Sequence, residues 1–137
     1  MSRLTVFLAK LIGLFGVLIA LEMIVQKDAM IGAVTQLIKD PPSLLLAGVI
    51  ALGTGLAIVL GHNVWTGRAL AVVVTIVGWL SLFKGLALLL VLSPTAAQAY
   101  FAALHYQQFY YAYAGFTLLL GAYLTYGAFS AIKLLRS

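Results

Sequence analysis

The chain has no cysteine, which excludes disulfides, thiolate metal sites and cysteine nucleophiles. It also has little charge. Asp, Glu, Lys and Arg make up 8% of its 137 residues, against about 25% in a soluble domain, too few to cover a surface facing water. Only three residues are acidic, and no two carboxylates fall together within an apolar run. There is no Ser/His/Asp arrangement and no phosphate-binding glycine loop. The chain is therefore expected not to be an enzyme, and no cofactor is expected. The two histidines, His62 and His105, fall on opposite sides of the expected topology, so they cannot share a metal, which would need several ligands in one place.

What the chain has is apolar length. It is 64% hydrophobic, with a mean hydropathy of +1.14, and the consistent solvent is lipid. The net charge of +5 does not point to nucleic acid, because the eight basic residues are scattered singly rather than gathered in a stripe. They flank the apolar runs, as charges that orient a membrane protein do. The N-terminal run is expected to be kept as a span rather than cleaved as a signal peptide, since Glu22 stands where a small-x-small cleavage site should lie.

Four runs are long enough to cross a bilayer, at about 20 mostly apolar residues each: 4–25, 43–61, 69–92 and 109–135. Each must be helical, because an open strand in lipid would leave its backbone groups unpaired. Between the first two runs, residues 29–38 carry apolar side chains at helical spacing (Met30, Val34, Leu37, Ile38). They are bounded by Asp28 as a candidate N-cap and by Asp40-Pro41-Pro42 as a stop. Residues 95–107 form a second such stretch, uncharged and rich in alanine and aromatics. Both read as short helices lying on the membrane surface. Arg3, Lys10, Arg68, Lys133 and Arg136 fall on one side, while Lys27 and Lys39, each beside an aspartate, fall on the other. By the positive-inside rule both termini and the His62–Arg68 turn face the cytoplasm.

The expected fold is thus all-α, a single domain over residues 1–137. It is a bundle of four transmembrane helices with two interfacial helices on the outer side. Aligning Gly13 with Gly78 and Gly48 with Gly115 suggests two tandem helical hairpins. The second span carries two small-residue rows, Ala47-Ala51-Gly55 and Gly53-Ala57-Gly61. These would let it pack closely on two sides and occupy the centre of the bundle.

Three groups of residues are candidates for function. Glu22 and Lys84 are charges inside apolar runs, at similar heights of about 25 and 22 Å along their helices. They are open to three readings: a structural ion pair, two side chains each reaching for the outer interface, or an ion-coupled site. His62, Asn63, Trp65 and Arg68 form a polar cluster at the cytoplasmic face. It is either a headgroup or partner site, or a helix-ending turn with Trp65 in the aromatic belt and Arg68 at lipid phosphate. His105, Tyr106, Tyr110 and Tyr113 form an outer cluster, read first as an aromatic belt. Trp79, Tyr123 and Tyr126 lie deeper and are expected to pack between helices.

The string G-H-N-x-W (Gly61–Trp65) followed by T-x-x-G-W-x-x-x-x-K-G (Thr75–Gly85) resembles a family of small bacterial integral membrane proteins. The resemblance implies an inner-membrane helical bundle and no known activity. Small multidrug-resistance transporters are also four-helix proteins with a glutamate in the first helix. Here Glu22 sits near the far end of that helix and the surrounding residues do not match. The expected role is a non-enzymatic accessory, assembly or scaffold subunit, and the alternative is a small transporter or channel using Glu22 and Lys84. The expected partners are the lipid bilayer and either a second copy or another membrane protein, with no nucleic acid.

Overall fold

Ser2 begins the first helix by accepting from the Thr5 amide at 3.1 Å, the capping bond that a helix N-terminus needs for its unpaired N–H groups. In the computed structural model, which describes residues 2–90, 94–103, 105 and 108–136, this helix is the first of six. They are α1 (Arg3–Val25), α2 (Lys27–Lys39), α3 (Pro41–Gly61), α4 (Ala69–Leu90), α5 (Pro94–Ala103) and α6 (Tyr110–Arg136). No strand occurs among the described residues. Helices α1, α3, α4 and α6 are long and apolar enough to cross a membrane. Residues 91 and 92, expected to end the third span, lie outside the described residues, as do 104, 106 and 107 of the second short segment.

The helix boundaries follow from local chemistry. Asp40 ends α2 and also caps α3, accepting from the Ser43 amide at 3.2 Å and from the Ser43 hydroxyl. Pro41 and Pro42 fill the first turn of α3, where their missing N–H groups cost nothing. The N-cap of α2 is Gln26 rather than Asp28, which falls in the first turn and meets the positive end of the helix dipole there. At the other end of α3, Gly67 turns the chain toward α4 with φ +93, a backbone conformation that suits glycine.

The long helices pack as two pairs. Helix α3 lies along α4 and α1 lies along α6, while contact between the pairs runs mainly through α1 and α4. The pairing is therefore nested, first with last and second with third, and not the tandem arrangement of consecutive hairpins. Glycines set both close approaches. A Cβ added at Gly55 or Gly85 would fall on the backbone of Leu82 or Leu52 across the α3–α4 interface. One added at Gly13 would come within 2.7 Å of Thr125 N, and one at Gly121 within 2.8 Å of Val17 N. Backbones this near gain dispersion contacts that lipid tails cannot supply.

Only one of the two small-residue rows on α3 is used. Ala51 accepts a bond from Ser81 Oγ at 2.8 Å and Gly55 meets α4, whereas Gly53, Ala57 and Gly61 are exposed. Helix α3 is consequently an outer helix rather than the centre of the bundle. The largest core cluster draws on all four long helices, with Val6 and Ala9 from α1, Ile58 from α3, Val74 from α4 and Leu124 from α6. It sits toward the end of the bundle where α1 begins and α3 stops. Leu60, Leu90 and Leu119 are among many large apolar side chains left exposed. That outward-facing apolar surface belongs against lipid. The short helices α2 and α5 pack on each other at the opposite end.

Candidate functional site

The polar residues that follow α3 divide into two units facing different ways. His62, which caps α3, is 3% exposed. Its Nε2 lies 2.8 Å from Thr5 Oγ1 on α1, and its Nδ1 lies 3.2 Å from Thr75 Oγ1 on α4. The ring therefore ties together three elements and crosses the seam between the two helix pairs. Thr5 Oγ1 continues the chain to Ser2 Oγ at 2.8 Å. Thr75 Oγ1 accepts from the Val64 amide at 3.0 Å, and Val64 O at 2.9 Å and Ala71 O at 3.1 Å are acceptors for its proton.

A self-consistent set of protons follows. If Thr75 gives its single proton to a carbonyl, Nδ1–H of His62 donates to Thr75 and Nε2 accepts from the Thr5 hydroxyl. Ser2 can then donate to Thr5. No buried side-chain nitrogen or oxygen among the described residues lacks a partner.

Asn63 organises the second unit. Its Oδ1 accepts from Trp65 Nε1 at 2.7 Å and from Trp79 Nε1 at 3.3 Å. Trp79 lies in the middle of α4, but helix side chains lean toward the N-terminus, which brings the indole back to the loop. Its polar atom is satisfied at this loop, while its ring stacks obliquely on Phe83, 5.8 Å between centroids. Trp65 and Arg68 are exposed. This half stays at the surface, whereas His62 has turned inward and left it.

The other candidates are dispersed. Glu22 and Lys84 are both exposed, and among the described residues no ion pair or hydrogen bond engages either side chain. His105 is exposed, has φ 49 and sits edge-on to Phe109 at 6.0 Å. Tyr106 lies outside the described residues. Tyr110 departs from the belt expectation: it is 1% exposed and donates to Met23 O at 2.6 Å, joining α6 to the end of α1. Tyr113 is half-buried beside it. The Nζ of Lys27 stands 4.7 Å above the ring of Tyr111, a cation–π contact at the same end. Tyr123 and Tyr126, expected between helices, are exposed instead.

Sequence reasoning missed Thr5 and Thr75, which complete the His62 network. A hydroxyl in the first turn of one apolar helix and another early in a second were the available signals, but they become specific only once the helices are paired. Among the described residues no group of three His, Asp or Glu side chains is gathered as a metal would require. Comparisons with protein-family models, curated proteins and solved structures find no match.

Proposed function

We propose that this chain is a non-catalytic accessory, assembly or scaffold subunit of a bacterial inner membrane, with both termini in the cytoplasm. The observation that carries the reading is how the buried polar side chains are used. Thr5, His62 and Thr75 are the buried polar or charged residues among those described, and they bond to one another and to nearby backbone. They fasten helices together rather than line a passage. Glu22 and Lys84, the residues on which transport would depend, are exposed and find no partner among the described residues. The gathering of Arg3, Arg68 and Lys133 at one end of the bundle supports the orientation.

The test is flux. Purified chain in sealed vesicles should pass protons, potassium and small organic cations no faster than empty vesicles do. Flux above that background, lost in both Glu22→Gln and Lys84→Met, would replace the scaffold reading with the transport alternative.

A further inference from the structure

Three cations gather on one side of the bundle, at the end where α1 begins. Lys10 of α1 is half-buried, and its Nζ stands 4.8 Å from the ring centre of Phe129 on α6. The contact follows from the register of this antiparallel pair. Gly13 lies against Thr125, so about one turn along each helix brings Lys10 level with Phe129. Arg3 falls within about 20° of Lys10 round α1, and Lys133 within about 40° of Phe129 round α6, at 3.6 residues per turn. Both are exposed. By the same register Lys133 stands between Arg3 and Lys10 in height, roughly 5–6 Å along the axis from each at 1.5 Å per residue.

This face is turned away from the rest of the bundle. Phe129 stands about 160° round α6 from Gly127, which meets Leu70 of α4, and Lys10 about 140° round α1 from Thr5, which meets His62. No acidic residue shares this end. The chain has three, Glu22 near the far end of α1, Asp28 in α2 and Asp40 before α3. The opposite end offers a contrast. Lys27 also stands over an aromatic ring, that of Tyr111, but Asp28 follows it directly. Charge is balanced within the chain there and is not at Arg3, Lys10 and Lys133. Beyond Lys10 and Phe129 the same two faces carry Leu14 and Ala122, both exposed and apolar. Cations below apolar side chains on the outward side of a span match the anatomy of an anionic lipid.

We propose that this face of α1 and α6 binds a phospholipid whose headgroup carries net negative charge. The phosphate sits between Lys10 and Lys133, Arg3 meets the outer edge of the headgroup, and an acyl chain lies along Leu14 and Ala122. Phe129 holds the Lys10 ammonium beside α6, so less side-chain freedom is lost when the phosphate arrives. A zwitterionic headgroup brings an ammonium that finds no carboxylate here, so the face selects against it. The assignment rests on the chain lying in a bilayer and not on the scaffold reading, and the flux experiment leaves it untouched.

The full chain, delipidated in detergent, tests this by titration with phosphatidylglycerol and, separately, phosphatidylethanolamine, the bound lipid being counted by native mass spectrometry. The first phosphatidylglycerol should bind at least about fivefold more tightly than the first phosphatidylethanolamine, since one basic contact to a lipid anion is worth about that factor. Lys10→Met and Lys133→Met should each weaken the first phosphatidylglycerol by about fivefold and leave phosphatidylethanolamine unchanged. Lys10→Arg, which keeps the charge, should retain the preference. Arg68→Met at the same end, on the other helix pair, and Lys27→Met at the opposite end should not alter the first binding event. Equal binding of the two lipids by the native chain would overturn the assignment, as would native-like binding of phosphatidylglycerol in either lysine variant. A loss in Arg68→Met or Lys27→Met as large as that in Lys10→Met would also overturn it, because net charge rather than this face would then attract the lipid. Should Lys10→Met fail to fold, Lys133→Met, at an exposed position near the end of α6, decides alone.

Discussion

His62 and Thr5 are 57 positions apart in the chain, yet Nε2 of one lies 2.8 Å from Oγ1 of the other. With the bond from His62 to Thr75, this contact gives the two helix pairs a polar joint at a seam otherwise made of Val6, Ala9, Leu70 and Val74. Removing one partner from a buried hydrogen bond strands the other and costs about 1–3 kcal/mol. Thr5→Val and His62→Phe should each destabilise the chain by that amount in a denaturant titration in mixed micelles. The double variant should lose less than the sum of the two, because the second change removes a group already stranded.

Glycine positions offer a sharper contrast. Gly55→Ala and Gly85→Ala place a methyl on the backbone of the facing helix and should cost about 1–3 kcal/mol by overpacking. Gly53→Ala and Gly115→Ala meet nothing within 4 Å. They should be neutral or stabilising by up to about 1 kcal/mol through helix propensity. The same titration separates the two sets.

Tyr110→Phe removes the bond to Met23 O and should cost about 1 kcal/mol. Tyr126→Phe, at a side chain 77% exposed, should stay within about 0.5 kcal/mol of the native chain. A belt tyrosine at position 110 would show no such difference.

The two tryptophans of the chain both donate to Asn63, so tryptophan fluorescence is sensitive to that residue. Asn63→Leu should free the exposed Trp65 indole and lower the steady-state anisotropy. Unchanged anisotropy would mean that packing, not the amide, holds the rings.

Because the chain has no cysteine, single-cysteine labelling can read its orientation directly. Thr66→Cys, in the loop before α4, should react only with reagent on the cytoplasmic side, and Gln36→Cys, on α2, only with reagent outside. The reverse pattern would invert the orientation proposed for the termini.

The four long helices are legible in the sequence, because an apolar run in lipid has one way to satisfy its backbone, whereas the short segment expected over 95–107 is helical only to Ala103 and leaves His105 in a turn with φ 49. The 43–61 run starts two residues early, at Pro41, since prolines that stop one helix can open the next. The nested pairing is not legible. Small-residue rows show where a helix can be approached closely but not by which neighbour, so Gly53-Ala57-Gly61 looks as usable as the row that meets α4. Tyr110 and Tyr126 look alike on paper, and one is buried while the other faces outward.

The stretch after α3 shows the same division most clearly. Composition and periodicity alone determine that His62–Arg68 is a turn between two membrane-length helices, because His62, Asn63, Thr66 and Arg68 cannot all stay in the apolar phase. Only the tertiary structure decides that His62 turns inward to Thr5 and Thr75 while Asn63 turns outward to two indoles. A histidine at a helix end can serve the interface or the interior equally well. The choice depends on whether hydroxyls from other helices arrive within bonding distance, and that is a property of how the pairs pack.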